Sequence, residues 1–353
     1  MSGNTLAALM LMQSASAPHS IHSSLDEHAP SSNTSQTAAS AGLDQPRSDR
    51  KLYSTVSDLF CVDGKQIPSV FLLGSQKCST SSLAAQLLTE GRLRGPKSPL
   101  AHKEAHYFDH NHSSNILAWA ARFHDGCGSS MVAFDGTPNY VLIYARRQGA
   151  LAAIKNMYGA ERLRHTTFVM ILCDPVQRAQ SFEWHLGCQS CFSSRAANPQ
   201  DTFPSFEGGK YGEQVNAILA TLGHITLIPA VLYWSHADLV MTELVNDIER
   251  RGGKRPKGKT FSSKPPKVND SPHPKLDSEV DALISGPKLA QYYMESNQYV
   301  YDKVYRGDDP RVTVVPPLEK WPADTPKHFL EISAPLKGNG LTSVRSQAGL
   351  GSV

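Results

Sequence analysis

Three short apolar runs, each leading through a polar turn towards helix-forming residues, constrain this chain more than any other feature of its sequence. Ser69-Val70-Phe71-Leu72-Leu73 ends at Gly74, and Ser79-Thr80-Ser81-Ser82 then leads into Leu83-Ala84-Ala85-Gln86-Leu87-Leu88. Hydroxyl residues ahead of a helix-forming run are an N-cap signal. Met131-Val132-Ala133-Phe134 is a second strand, followed by helical composition from Val141 to Tyr158. Thr167-Phe168-Val169-Met170-Ile171-Leu172 is a third, of the kind buried on both faces of a sheet. Pro175 then opens another helix at a favoured first-turn position. Further on, Tyr211–Leu222 predicts a helix, Ile225–Tyr233 a strand interrupted by Pro229, and Ala237–Arg251 a helix. This alternation predicts an α/β fold with a central parallel sheet flanked by helices on both sides.

The folded part is expected over residues 51–321. Residues 1–50 are rich in Ser, Ala, Thr, Asn and His and read as a disordered leader, and 322–353 as a loose tail. Gly252–Pro274 is polar, basic and proline-rich, either a loop that closes over a ligand or a mobile surface insertion. A net charge of +3 is too weak to argue for nucleic acid. Arg162–His165 and Lys254–Lys267 are local basic clusters, open to an anionic ligand or simply solvated. No run approaches the roughly 18 apolar residues that cross a bilayer. Leu6–Met12 is short, lacks a preceding positive charge and makes a poor signal peptide, so the compartment stays open. Asn33, Asn111 and Asn269 open N-x-S/T triplets, either the acceptor pattern of a glycoprotein or a chance recurrence in a chain of this length. Six cysteines in 353 residues are not read as a disulfide framework. Cys188 and Cys191 form one C-x-x-C, compatible with a local disulfide, half of a zinc site or two free thiols, and nothing has the spacing to complete a zinc site.

The segment Gly74-Ser75-Gln76-Lys77-Cys78-Ser79-Thr80-Ser81-Ser82 joins a strand to a helix. Backbone N–H groups at a helix N-terminus, the helix dipole, the charge of Lys77 and the hydroxyls of Thr80, Ser81 and Ser82 together suit a phosphate or a sulfate. A Walker A loop needs G-x-x-x-x-G-K-[ST]. Here Ser79 stands at its second glycine and Thr80 at its lysine, which disfavours an ordinary P-loop kinase or ATPase.

The order G-x-x-K-x-x-T-S-S resembles the 5′-phosphosulfate loop of sulfotransferases that use 3′-phosphoadenosine-5′-phosphosulfate (PAPS), although Ser79 replaces the usual glycine. Three further segments follow in the order that family uses. Lys103-Glu104-Ala105-His106-Tyr107-Phe108-Asp109 resembles the KE-x-H-[FY]-F-[DS] segment of the carbohydrate branch related to the heparan sulfate enzymes. Asp135-Gly136-Thr137-Pro138-Asn139-Tyr140 resembles its [ED]-x-[ST]-P-x-Y segment. Cys173-Asp174-Pro175-Val176-Gln177-Arg178-Ala179-Gln180-Ser181 resembles the 3′-phosphate motif R-[DN]-P-x-x-R-x-x-S, with Cys173 in place of its first arginine. The resemblance covers roughly residues 66 to 321.

The resemblance implies a P-loop-like three-layer fold and sulfuryl transfer from PAPS, with no metal, to a hydroxyl or amine of an acceptor, most naturally a glycan. It implies Glu104 as the base, with burial raising its pKa, and Lys77 as the group that stabilises the leaving phosphate. Lys103 and His106 are secondary candidates towards the sulfuryl oxygens. The 5′ side of the nucleotide falls to Gly74, Lys77, Cys78, Ser79, Thr80, Ser81 and Ser82, and its 3′-phosphate to Arg178 and Ser181. Cysteine cannot supply a bidentate cationic contact, so Arg178, Arg162, Arg164 or the Lys254–Lys267 stretch must compensate at Cys173, or binding is weak. An acidic glycan would meet Arg92, Arg94, Lys97 and Lys254–Lys267. Members of that branch usually sit in the Golgi lumen.

Two other classes compete. A sulfotransferase fold that binds without catalysis is suggested by Cys173 and Ser79, and a nucleotide kinase is third. His102, His106 and His110 are spaced by four, which on a helix would gather them as metal ligands. The order is not H-E-x-x-H, however, and the nearby aromatic pair fits an extended segment better.

Overall fold

The computed structural model describes residues 55–91, 93–97, 103–109, 115–127, 132–142, 149–188, 191–199, 203–252, 260–268 and 287–322. The leader 1–50, the tail from 323 onward, Arg92, Met131, His102, His110, His112, the three N-x-S/T asparagines and Lys254–Lys259 lie outside these residues.

The core is a six-stranded sheet in the order β4-β5-β3-β6-β7-β8, with every neighbouring pair parallel. Its strands are β3 (Val70–Gly74), β4 (Leu93–Arg94), β5 (Val132–Asp135), β6 (Thr167–Leu172), β7 (Ile225–Pro229) and β8 (Val312–Val314). A separate hairpin, β1 (Cys61–Val62) and β2 (Lys65–Gln66), turns through Asp63-Gly64. Both turn residues have positive φ, as a two-residue hairpin loop requires. Every residue of β3, β5, β6 and β7 is buried, which is why these strands are apolar on both faces rather than alternating.

The helices are α1 (Val56–Leu59), α2 (Thr80–Thr89), α3 (Ile116–Ala120), α4 (Ala150–Arg164) and α5 (Pro175–His185). After them come α6 (Cys191–Ala196), α7 (Pro204–Glu207), α8 (Tyr211–Leu222), α9 (Ala230–Ser235), α10 (Ala237–Arg250) and α11 (Pro287–Arg306). Three departures from the sequence expectation have local causes. The strand expected to reach Tyr233 stops at Pro229, which has no N–H for the ladder and instead precedes α9. Of the helix expected from Val141, Val141 and Leu142 lie in a turn, 143–148 lie outside the described residues, and α4 is described from Ala150, behind Gly149 at φ 87°. Ser79 does precede α2, but its side chain makes no cap hydrogen bond. Gly212 is required where α8 crosses α11, because a Cβ there would lie 1.7 Å from the carbonyl oxygen of Ser296.

The chain leaves β3 towards β4 and β5 on one side and leaves β6 towards β7 and β8 on the other. The C-terminal ends of these two adjacent strands are therefore the switch point of the sheet, where the crevice that usually takes the ligand of an open parallel sheet lies.

The cysteines overturn the sequence reading. All six are paired, as Cys61–Cys127, Cys78–Cys173 and Cys188–Cys191. Of the options for the C-x-x-C, the local disulfide is the one adopted. Isolation in sequence says nothing about spacing in a parallel sheet: Cys78 and Cys173 are 95 residues apart but follow adjacent strands, with Cα atoms 5.4 Å apart. In the chain-entropy account each of the two long bridges stabilises by roughly 4–5 kcal/mol.

Candidate functional site

The β3–α2 loop is shaped by its backbone. Ser75 N–H donates to Ile171 O at 3.0 Å and Cys78 N–H to Ser75 O at 3.0 Å, which folds the loop back over the end of β3. Lys77 and Ser79 both have positive φ, 72° and 65°. Ser79 thus keeps the left-handed backbone that a glycine would adopt freely. Its Oγ accepts from Trp234 Nε1 at 2.7 Å instead of capping the helix. The first-turn N–H groups of a helix have no intrahelical acceptor, and here no Ser79 side-chain cap supplies one. Lys77 is half-buried and has no carboxylate partner among the described residues. Burial, then the charges of Arg178 and Lys103, hold its ammonium below the usual lysine range. Lys77, Arg178 and the Glu104-paired Lys103 thus bring positive charge to one place, which favours an anion there.

Across the crevice, Lys103–Asp109 is an extended segment hung on the end of β5. Asp135 is fully buried and its Oδ1 accepts from the N–H groups of Ala105 and Thr137, both at 3.1 Å, and from the Thr137 hydroxyl at 2.7 Å. Its Oδ2 accepts from Tyr140 OH at 2.8 Å. Thr137 Oγ1 in turn accepts from the N–H groups of Ala105 and His106, at 3.0 and 3.1 Å. Burial pushes Asp135 up to about 6 against the lowering effect of these donors. The Asp135–Tyr140 motif is therefore the scaffold of the Lys103–Asp109 motif, which explains why both occur.

That scaffold aims three charged side chains at one another. His106, at φ 48°, places Nε2 2.7 Å from Glu104 Oε2 and Nδ1 2.7 Å from Asp109 Oδ2. Its hydrogen bonds to Asp109 and then Glu104 raise it to about 10, so it is an imidazolium at neutral pH. Lys103 also pairs with Glu104. The expectation that burial raises the pKa of Glu104 needs correction. Burial does push it up, but the hydrogen bond from His106 and the charge of Lys103 outweigh it, and the net shift is downwards. Glu104 is an ionised carboxylate, oriented by an imidazolium. Both ring nitrogens of His106 are occupied by carboxylates, so it is not poised as a metal ligand; His102 and His110 lie outside the described residues.

The β6–α5 corner is built differently. Asp174 caps α5, its Oδ1 accepting from the N–H groups of Val176 and Gln177, both at 2.8 Å. Cys173 is held by Cys78, and its carbonyl accepts from Tyr211 OH at 2.9 Å. Arg178 is fully buried beneath Gly208, where a Cβ would lie 2.0 Å from its Nη2. Its Nη1 donates to Ser205 O at 2.5 Å, while its Nε and Nη2 have no partner among the described residues. Ser181 is half-buried one turn further along α5.

Of the cations put forward to replace the missing arginine, Arg178 is at this corner but turned inward, Arg162 and Arg164 are not at it, and Lys254–Lys259 lie outside the described residues. Arg162 and Arg164 end α4 just before β6 begins, and six strand residues, roughly 20 Å, separate them from its C-terminal end. Arg162 Nε donates to Leu59 O at 2.5 Å, and Arg164 pairs with Glu161. Arg94 and Lys97 share Asp125 with Lys65. The stretch 260–268 is tied to α2, with Ser262 N–H donating to Glu90 Oε2 at 3.0 Å and Gln86 Nε2 to Ser262 O at 3.1 Å.

Two residues escaped the sequence reading. His185, the last residue of α5, is lowered by burial and by the charge of Lys77, with Glu104 opposing. Its position four residues after Ser181, on the same helix face, was the available signal. Trp234 is 43% exposed beside the loop. It follows the C-terminal end of β7, where ligand contacts of a parallel sheet concentrate. Compared with family models and with curated proteins, the sequence matches none.

Proposed function

We propose that this protein is a sulfotransferase of P-loop-like architecture that moves the sulfuryl group of PAPS to a hydroxyl or amine of a glycan. The observation that carries the reading is the β3–α2 loop: an α2 N-terminus without a Ser79 side-chain cap and a Lys77 opposed by two further cations rather than neutralised. The residues present fit the 5′ end of such a donor. Gly74, Cys78, Ser79, Thr80, Ser81 and Ser82 supply the loop and first turn, and Lys77 the charge for the oxygen that leaves.

PAPS would bring an activated sulfuryl group, and the chain's own residues would do the rest. Glu104 takes the proton of the attacking hydroxyl as the S–O bond forms and that hydroxyl becomes acidic. A carboxylate held low by His106 suits a late proton transfer better than abstraction from a free alcohol. His106 is oriented by Asp109 and keeps Glu104 ionised and aimed; Lys103 is the second cation towards the sulfuryl oxygens. The products are the sulfated acceptor and 3′-phosphoadenosine-5′-phosphate (PAP), with the proton passing to solvent. Three disulfides support work in an oxidising compartment, such as the Golgi lumen.

A second reading is favoured by the β6–α5 corner. With Asp174 on the helix N-terminus, Arg178 buried and Cys173 in a disulfide, the chain could hold a nucleotide too weakly to turn it over and act as a binding protein. Transfer of labelled sulfate from PAPS to a glycan panel separates the two. Turnover that disappears in Lys77→Ala and Glu104→Ala supports the enzyme. Thermal stabilisation by PAP without turnover of any acceptor supports the binding protein, and stabilisation only by ATP with magnesium sinks both.

A further inference from the structure

The Cys78–Cys173 disulfide differs from the other two in where it lies. Cys61–Cys127 joins the small hairpin to the segment after α3, and Cys188–Cys191 closes a turn between α5 and α6. Cys78–Cys173 spans the crevice itself, tying the β3–α2 loop to the β6–α5 loop. On either side of Cys78 stand Lys77 and Ser79, both at positive φ. Left-handed conformations of non-glycine residues persist only where the surroundings over-determine them, and here the covalent tie at Cys78 is part of those surroundings. Tyr211 joins the tie, its hydroxyl 3.3 Å from Cys78 Sγ.

We propose that Cys78–Cys173 is a reducible latch on the anion loop, opened by a dithiol reductant, and that the open form loses grip on the nucleotide. The inference rests on the nucleotide reading of the loop given above. Cys78 is 1% exposed whereas Cys173 is partly exposed, so an attacking thiolate reaches Cys173 Sγ. The S–S bond breaks with its electron pair on Cys78 Sγ. That sulfur leaves as a thiolate beside Lys77, two residues before α2, and within reach of the Tyr211 hydroxyl, all of which favour the anion. The second thiol of the reductant then displaces Cys173 as a thiolate. The reductant ends as a disulfide, the protein as two thiols, and two electrons have passed to it. Released from Cys173, Lys77–Ser79 can leave the left-handed region, and the donors it gathered disperse.

The test uses the full chain, dithiothreitol as the dithiol and PAP as the nucleotide probe. Isothermal titration of the oxidised protein and of the protein reduced at Cys78–Cys173, checked by peptide mass mapping, is expected to show at least tenfold weaker PAP binding after reduction and recovery on reoxidation. The Cys78→Ser/Cys173→Ser variant should match the reduced protein and ignore dithiothreitol, while Cys61→Ser/Cys127→Ser still responds. Hydrogen exchange of residues 74–83 in the wild type is followed in parallel, and reduction should lower its protection without any ligand. Unchanged affinity with the bridge verifiably reduced, unchanged exchange, or free Cys78 and Cys173 thiols in the protein as purified would each overturn the latch. An oxidised protein that fails to bind PAP, yet loosens its loop on reduction, removes the nucleotide reading and keeps the latch.

Discussion

Two corners of this molecule share a plan. β3–α2 and β6–α5 leave adjacent parallel strands at the same end of the sheet, and each brings a helix N-terminus to the crevice between them. They treat their polar groups in opposite ways. At β6–α5 the carboxylate of Asp174 takes the first helical N–H groups and Arg178 turns inward to Ser205. At β3–α2 the serine that should cap the helix bonds to Trp234, and Lys77 meets other cations instead of a carboxylate. A strand–loop–helix corner is therefore not an anion site by virtue of its secondary structure. It becomes one when the chain withholds the internal partners its donors would otherwise find.

The sharpest way to break the comparison is to strike the chemistry that faces the open corner. Glu104→Gln should lower the rate of sulfuryl transfer by roughly 10²- to 10⁴-fold, the range of a general base, with PAP affinity little changed. Equal loss of PAP binding would assign Glu104 to the nucleotide and not to the acceptor. Next in size is the pair Lys77→Met and Arg178→Met. Removing one preorganised donor to a developing charge costs roughly 10²- to 10³-fold in kcat, so Lys77→Met should lose that much turnover and keep its melting temperature. Arg178→Met should show the reverse pattern. Its guanidinium is buried with a single bond to Ser205, so its role is internal, and the variant should shift stability while leaving PAP affinity within about tenfold, or 1.4 kcal/mol. If Arg178→Met loses turnover as strongly as Lys77→Met does, the two corners act alike and the contrast fails.

The strands at Val70–Gly74 and Thr167–Leu172 and the helices at Pro175, Tyr211 and Ala237 were legible, because burial on both faces makes an apolar run and Pro or polar residues end it. β4 and β8, with two and three residues, are too short to carry a period, and they pair only because neighbours are already in place. The Asp63-Gly64 hairpin carried a readable turn signal that was passed over. The disulfides were not legible: Cys78 meets Cys173 only because β3 and β6 are adjacent, a property of strand order and not of spacing. At the candidate site, motif order singles out Lys77 and Glu104, but it carries nothing of their electrostatics. The pKa of Glu104 turns on His106, whose left-handed backbone brings the ring back onto the carboxylate. The burial of Arg178 depends on Ser205 and Gly208, in another helix and its cap.

The pH dependence sharpens the open corner further. His106 is raised from 6.5 to about 10, so its contacts contribute stability fully below about 6.5 and lose it as pH rises through about 10. Glu104 is depressed from 4.5, so its contribution is present above 4.5 and disappears as pH falls through its lowered value. The turnover rate should accordingly be flat across neutral pH, with an acid limb set by Glu104. In His106→Asn the donor that lowers Glu104 is weakened, and the acid limb of the pH–rate profile should move to higher pH. A limb that stays in place would mean that the group titrating in turnover is not Glu104, and His185, which senses the charges of Lys77 and Glu104, becomes the group to test.

The smallest expected effect lies at the closed corner. Asp174→Asn keeps a side-chain oxygen for the N–H groups of Val176 and Gln177, and asparagine is as good an N-cap as aspartate, so the fold should lose no more than the charge–dipole contribution, about 0.3–1 kcal/mol. What it removes is one negative charge at the helix end that neighbours the proposed 3′-phosphate. Charges at a helix terminus are worth about 0.3–1 kcal/mol when exposed, so PAP affinity should rise about two- to fivefold, and the gain should shrink as salt is added. A gain confined to PAP and absent for adenosine 5′-phosphosulfate, which lacks the 3′-phosphate, would place that phosphate at the β6–α5 corner despite the missing arginine. An equal gain for both ligands would mean that Asp174 acts on the crevice as a whole, and that the corner with its donors already satisfied takes no direct part in holding the nucleotide.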